Sequence, residues 1–445
     1  MSCRSCYLLL FFFLFPLLIP ALGSKREDLE IRIGPIVIGG SPAPPPRSLQ
    51  PCDFENMMQY KAYLVIQRFK QTITCDPKNK TGSWSGPRIC NNDGRGYEGF
   101  YCETPPNLHG PKNRTIASVD FNGFTFVAPT VCGFVDQLPQ LALFHANSNG
   151  FGTTVPDLTN LPFFYELDVS NNKLTGGFPT NVLPLVNLSF LDLRYNGYNG
   201  PIPPSVFDIQ TQVLFLNNNK FSGCIPYNLG NTPANYITFA FNMFTGPIPN
   251  SIGKLCNTLL EVLFLGNQLS GCLPFEIGLL KNATVFDAGT NRLTGPIPLS
   301  FGCLRKVEQL NLAGNLLYGE VPEVVCRLAK YGHLMNLSLS DNYFTSLGPS
   351  CLELIECKKL DVRKNCIPWL PKQRSPEECA WFLKRPKASC PTAHYIPCHL
   401  PYEGADQLDS AAATGADQPA ADGSKDRTSG GYTTYKALNH DEKKP

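Results

Sequence analysis

LDVSNNKLTGGFP at 167–179, LDLRYNGYNGPIP at 191–203 and LFLNNNKFSGCIP at 214–226 are one phrase written three times. ITFAFNMFTGPIP at 237–249 continues it, and five more copies follow. The asparagine that centres the phrase falls at Asn149, Asn172, Asn196, Asn219, Asn242, Asn267, Asn291, Asn315, Asn342 and Asn365, with spacings of 23 to 27 residues. A degenerate first copy, SVDFNGFTF at 118–126, precedes them. Such a period describes a unit of one short strand, a turn and a returning segment. No unit of that size buries its apolar side alone, so neighbours must stack.

The consensus, L-x-x-L-x-L-x-x-N-x-L, is that of a leucine-rich repeat. The predicted fold class is therefore α/β: a leucine-rich repeat solenoid of about eleven units, with a parallel β-sheet on its concave face and disulfide caps at both ends. The asparagine sits at an interior position, where its amide must satisfy backbone groups of the turn to avoid a desolvation penalty. The G-x-[IVL]-P that follows, as in GPIP at 200–203 and GEVP at 319–322, supplies a glycine where the backbone turns and a proline that fixes φ.

Around the repeats the chain divides by composition. Arg4, an apolar run from Tyr7 to Ile19 and the small residues Ala21 and Gly23 predict a signal peptide over 1–23, too short to span a bilayer. A Pro-rich linker over 24–51, an N-terminal cap over 52–115, repeats over 116–365, a cysteine cap over 366–398 and a disordered tail over 399–445 complete the expected organisation. Within the first cap, Tyr60, Leu64, Ile66 and Phe69 show helical spacing over 54–74. Only 17% of the 445 residues are charged and the net charge is +2, which excludes the basic surface of a nucleic-acid binder. Eighteen cysteines point to an oxidising, extracellular setting. Acceptor triplets at Asn79, Asn113, Asn187, Asn282 and Asn336 fit N-glycosylation on the same route.

Alternation along each strand sends the leucines inward and the residues between them outward. The outward slot reads Asp120, His145, Asp168, Asp192, Phe215, Thr238, Leu263, Asp287, Asn311, Ser338 and Asp361. Glu166, Phe190, Val213, Tyr236 and Glu261 flank it on one side, and Arg194, Asn217, Ala240 and Leu265 on the other. Anchoring VLFLGNQL on Asn267 leaves Leu263 and Leu265 outside. The predicted ligand-binding set is thus His145, Glu166, Asp168, Phe190, Asp192, Arg194, Phe215, Asn217, Tyr236, Leu263 and Leu265. Acidic walls over an apolar floor suit a basic peptide with hydrophobic anchors.

Catalytic chemistry finds no motif: there is no G-x-S-x-G, H-E-x-x-H or Walker-type loop, no histidine stands at metal-ligand spacing, and no cofactor is expected. Asp168 and Asp192 would lie about 5 Å apart on neighbouring strands, yet on an open sheet nothing is expected to raise either pKa, so an enzyme is not predicted. For the cysteines, Cys90–Cys102 would close a cap loop and Cys326 would reach Cys351. Cys366–Cys390 and Cys379–Cys398 are the expected bonds of the C-terminal cap. Cys52, held far from Cys75 by the cap helix, is the leading free thiol for a disulfide-linked dimer.

LALFHANSNGF at 141–151, FLDLRYN at 190–196, VLFLGNQLSGCLPFEIG at 262–278 and VEQLNLAGNLLYG at 307–319 resemble the repeat domain of plant leucine-rich repeat extensins and their extensin-lacking relatives. The resemblance covers about residues 54–390. It implies residence in the cell wall and binding of a basic, cysteine-containing peptide of the rapid alkalinization factor type, in wall formation or integrity signalling. After Cys398 the chain departs from the family, with no Ser-Pro-Pro-Pro-Pro repeat; only SPAPPP at 41–46 is proline-dense. Two further readings stay open. One is a structural wall component contacting a pectin-like acidic polysaccharide through Arg194, Arg363, Lys364, Lys358 and Lys359. The other is an inhibitor of a wall-degrading enzyme.

Overall fold

The computed structural model describes residues 48–387, 389–391 and 398. The expected signal peptide, most of the expected Pro-rich linker and the expected tail from 399 fall outside them.

Twelve strands form one sheet. Phe100–Glu103 pairs antiparallel with Thr115–Asp120, and every later strand adds in parallel, one per repeat, from Leu143–His145 to Leu360–Asp361. A second parallel sheet of eight strands runs from Thr175–Gly176 to Tyr343–Leu347 on the far side of the asparagine turn. Between sheets, one unbroken apolar core runs the length of the solenoid; in it the rings of Phe239, Phe264 and Phe286 follow one another at 5.6 and 6.0 Å. Short 3-10 segments, such as Asn250–Leu255, Phe275–Leu279 and Leu299–Cys303, return the chain, each preceded by a proline of the G-x-x-P phrase with φ of −62° to −65°.

The asparagine ladder supplies the polar half of the core. Asn219 donates through Nδ2 to the carbonyls of Leu193, Leu216 and Asn217 at 2.9, 3.1 and 3.3 Å, while its Oδ1 accepts from the Tyr198 N–H at 3.1 Å. Asn242 repeats the pattern with Leu216, Phe239 and Ala240 and accepts from Phe221 N–H. Each side chain therefore satisfies turn carbonyls of its own repeat and stitches it to the preceding one, which is why a polar residue is kept in the interior.

The N-terminal cap closes the open end with an aromatic plug. The helix Met57–Thr72 is capped by Asn56, whose Oδ1 accepts from Gln59 N–H and whose amide donates to the Arg114 carbonyl at 2.8 Å. Phe69 stacks on Phe134 at 4.0 Å, and Trp84 is fully buried with its indole N–H donating to the Glu98 carbonyl at 3.0 Å. The helix turns Gln59, Ala62, Val65, Ile66 and Phe69 inward. Leu64, expected on that face, is 42% exposed, because the buried face runs through positions 62, 66 and 69 instead.

Disulfides join Cys90 to Cys102 and Cys326 to Cys351. In the C-terminal cap the expected Cys366–Cys390 and Cys379–Cys398 bonds are not formed. Cys366 joins Cys379, Cys390 joins Cys272, and Cys398 joins Cys303. The reason is the path of the chain: after the helix Pro376–Leu383 it does not stay over the end of the solenoid but returns along the flank that carries the G-x-x-P turns. Gly295 makes room for that strap. Its φ is +89°, and a Cβ there would collide with Cys390 Sγ. Gly295→Ala is expected to prevent the Cys272–Cys390 bond in a large share of molecules; peptide mapping of the non-reduced protein reads this directly. Cys52 is exposed and in no disulfide.

Candidate ligand-binding face

The strand register places the outward slot as one row: Asp120, His145, Asp168, Asp192, Phe215, Thr238, Leu263, Asp287, Asn311, Ser338 and Asp361 are paired strand to strand. Leu143, Glu166, Phe190, Val213, Tyr236 and Glu261 form the row beside it. The acidic members have a local task as well. Asp120, Asp168, Asp192, Asp287 and Asp361 each accept, through Oδ1, the backbone N–H two residues on, at 2.9 to 3.1 Å. The slot thus caps the turn that leads to the ladder asparagine, and this structural demand explains much of its Asp and Asn content.

Over the early repeats the face becomes a connected cluster. His145 Nε2 meets Glu166 Oε2 at 3.0 Å and its ring lies 6.4 Å from that of Phe190. Phe190 stands edge-on to Phe215 at 6.1 Å, and the Arg194 guanidinium lies 5.0 Å from the Phe215 centroid. Beneath that guanidinium is Asp192. Read as an outward groove wall in the sequence, it is in fact wholly buried, with 0% side-chain exposure, under Arg194. Arg194 Nε lies 2.8 Å from Asp192 Oδ2, close enough for charge attraction but off the N–H axis, so that Oδ2 has no aligned donor.

Burial, followed by the nearby Asp168 charge, pushes the Asp192 carboxyl up to about 7, against the lowering effect of Arg194. The expectation that nothing raises either member of the Asp168/Asp192 pair is therefore wrong, since the sheet is open but this site is roofed. His145 is also shifted upward. Burial alone would lower it, and the Glu166 hydrogen bond together with the Glu166, Asp168 and Asp120 charges outweighs burial. Farther along, burial raises Asp287, and burial with Glu308 raises Glu261.

Of the other expected residues, Tyr236, Leu263 and Leu265 are half-buried on the same face, while Thr238 and Ala240 between them are buried. Asn217 is half-buried and donates to Asn218 Oδ1 at 2.7 Å. Two residues were missed. Tyr195 and Phe241, immediately before ladder asparagines, have φ of +53° and are 53% and 52% exposed. Asn and Gly are the ordinary occupants of such a backbone, as at Asn171, Asn218, Gly266 and Gly314; an aromatic in that column was the available signal. Phe241 leans over Gly266, where a Cβ would meet its ring at 2.7 Å. Tyr195 helps to line a recess of about 240 Å³ with Asn147, Asn171 and Arg194.

Among the described residues no group of His, Cys, Asp and Glu is placed to hold a metal ion, and no helix is long and apolar enough to cross a membrane. Of the acceptor triplets, Asn336 lies in the strand Asn336–Ser338 of the concave sheet and is exposed. Asn79 and Asn187 are exposed outside the strands of that sheet, while Asn113 and Asn282 are half-buried.

The general Leucine Rich Repeat family model matches residues 210–232. Leucine-rich repeat extensin-like protein 2 of Arabidopsis thaliana is 39% identical over 242 residues, 54% of this chain and 30% of that protein; the chain spans about a third of the length of such relatives. Among solved structures, the Arabidopsis receptor kinase HAESA, in complex with the peptide hormone IDA and the co-receptor SERK1, superposes with a TM-score of 0.57 at 28% identity, covering 68% of this chain and 50% of that one. Leucine-rich repeat extensin-like protein 7 of Arabidopsis thaliana is matched over most of both chains, at 39% identity over 372 residues, 82% of this chain and 79% of that protein. With the repeat register, the caps and the sequence aligned over that span, the chain belongs to the plant leucine-rich repeat extensin-like family.

Proposed function

We propose that the protein acts outside the cell, in the wall, as a non-catalytic binding protein whose concave face recognises a basic secreted signalling peptide, of the rapid alkalinization factor type. The observation that carries this reading is the continuous cluster Glu166, His145, Phe190, Phe215 and Arg194, extended by Tyr236, Leu263 and Leu265. Acidic groups border an aromatic and aliphatic floor, so a peptide with cationic and apolar side chains finds partners for both. The peptide bound by HAESA, as that structure is described, lends support by analogy of fold. Arg194, a candidate for contact with acidic polysaccharide, is drawn into this cluster by Asp192 and Phe215 and does not serve a separate basic patch.

The test is capture of peptides from a secreted plant fraction by the full secreted protein, followed by mass spectrometry. Wild type is expected to enrich basic peptides, and Glu166→Lys with Asp168→Lys to lose them by at least roughly ten-fold, about 1.4 kcal/mol. Enrichment of neutral or acidic species, or capture unchanged by both reversals in a folded variant, refutes the reading.

A further inference from the structure

The thirty residues from Lys358 to Lys387 carry a charge pattern unlike the rest of the chain. Between Lys358 and Lys387 there are nine lysines and arginines against three acidic residues, whereas the whole chain sums to +2. The three acids do not neutralise it. Asp361 is taken by Arg363 at 2.6 Å, and Glu378 closes the capping box at Ser375 with Arg374 beside it at 3.8 Å. Glu377 remains exposed in the first turn of that helix. Lys358, Lys372, Lys384 and Arg385 are exposed and have no acidic partner among the described residues.

Two of the chain's three tryptophans lie in the same stretch. Trp84 is fully buried, but Trp369 and Trp381 are 55% and 58% exposed. The helix Pro376–Leu383 separates two roles within one dipeptide: Phe382 turns inward and stacks on Tyr343 at 3.5 Å, while Trp381 turns outward with the Arg385 guanidinium 3.3 Å from its ring centroid. An indole backed by a guanidinium and left open to water is a flat, electron-rich platform beside a fixed positive charge. The lysines are also placed at some cost to the backbone. Lys358, Lys364 and Lys372 have φ of +58°, +54° and +59°, where asparagine or glycine would sit more easily. Lys364 N–H donates to the Lys372 carbonyl at 2.8 Å, so the two backbones adjoin, and the Cys366–Cys379 bond ties their turn to the tryptophan helix; the Lys364 ammonium also lies 3.9 Å from Asp341, an acid outside this stretch that Arg374 shares.

We infer that this face of the C-terminal cap binds a polyanionic polysaccharide of the uronic-acid type. Such a chain offers a carboxylate on every ring, for the spaced lysines and arginines, and an apolar C–H face, for the open indoles; charge complementarity and stacking are then satisfied by one ligand. An anionic membrane fits less well, because the eight-residue helix commits Phe382 to the core and leaves Trp381 and Leu383 outward, too little apolar surface to insert. The inference stands apart from the concave-face reading, since the two use different residues and opposite charge.

The experiment titrates the full secreted protein with non-esterified oligogalacturonide, with the fully methyl-esterified form, and with phosphatidylserine vesicles. Binding of the non-esterified form alone, weakening as salt rises, is expected. Trp381→Ala and, separately, Lys364→Glu with Lys372→Glu are each expected to weaken it by roughly ten-fold while the melting temperature stays within a few degrees. Phe215→Ala, which damages the concave cluster, is expected to leave it unchanged. Absence of binding, equal binding of the esterified form, tighter binding to vesicles, or wild-type affinity in both cap variants overturns the inference.

Discussion

Asn242→Ala is expected to destabilise the protein by about 3–5 kcal/mol, the largest effect of any single substitution considered. The side chain is 8% exposed and makes four hydrogen bonds. Alanine leaves the Phe221 N–H without its acceptor and removes one of the two ladder donors of the Leu216 and Phe239 carbonyls, which keep only Asn219 and Asn267, in a site too well packed for water to replace it. The loss is also shared between repeats, because Phe221 and Leu216 belong to the preceding unit. In a stacked array, where stability is a sum of units and interfaces, weakening one interface can divide the unfolding transition. Urea denaturation followed by circular dichroism reads both features. The exposed Asn199, two repeats earlier, provides the contrast: Asn199→Ala should stay within about 0.5 kcal/mol. Equal, small effects at the two positions would show that the ladder is not what joins the repeats.

The second large effect is a stability that falls as pH rises. Asp192 titrates near 3.8 when unfolded and at about 7 when folded. Between those values the native state holds a proton that the unfolded chain has released, so folding is favoured at the acidic end and the advantage disappears as pH climbs through about 7. The shift corresponds to as much as about 4 kcal/mol. His145 acts in the same direction: its folded pKa is raised above 6.5, so the stability it contributes is present below that value and is lost as pH rises through the folded one. The groups facing His145 are Asp120, Glu166 and Asp168 from the neighbouring strands, and those facing Asp192 are Asp168 and Arg194. Urea denaturation at about pH 5 and about pH 8 should therefore show a lower midpoint at the higher pH, and Asp192→Asn should flatten most of the difference. A wild-type midpoint that rises with pH would contradict the burial assigned to Asp192.

The reason for that burial also marks where sequence reading stops. The repeat, the ladder and the outward rows are set by local periodicity, and the strand register follows them residue by residue, including at VLFLGNQL, where Val262 and Phe264 are buried and Leu263 and Leu265 are not. Whether an outward residue stays wet depends on its neighbours across strands: Arg194 and Phe215 together roof Asp192, and no period encodes a roof. The disulfides divide in the same way. Cys90–Cys102 and Cys326–Cys351 join residues that adjacent elements bring together. Cys272–Cys390 and Cys303–Cys398 depend on a return path across 118 and 95 residues, a tertiary fact with no local trace. The helical spacing in the first cap was present, but its face was misread at Leu64 because aromatic and aliphatic residues lie all around that helix.

The pH behaviour bears on ligand binding as well. As pH rises, His145 loses its positive charge and Asp192 gains a negative one, so the cluster becomes more acidic, and on the proposed reading a basic peptide is expected to be held more tightly at the higher pH.

The most direct test of the concave-face account is a calorimetric titration of one captured basic peptide into wild type, Glu166→Lys with Asp168→Lys, and Trp381→Ala, all folded by circular dichroism. The account predicts that the double reversal weakens binding by at least about ten-fold and that Trp381→Ala leaves it unchanged. Equal affinity for wild type and the double reversal, or loss confined to Trp381→Ala, would place the peptide elsewhere and contradict it.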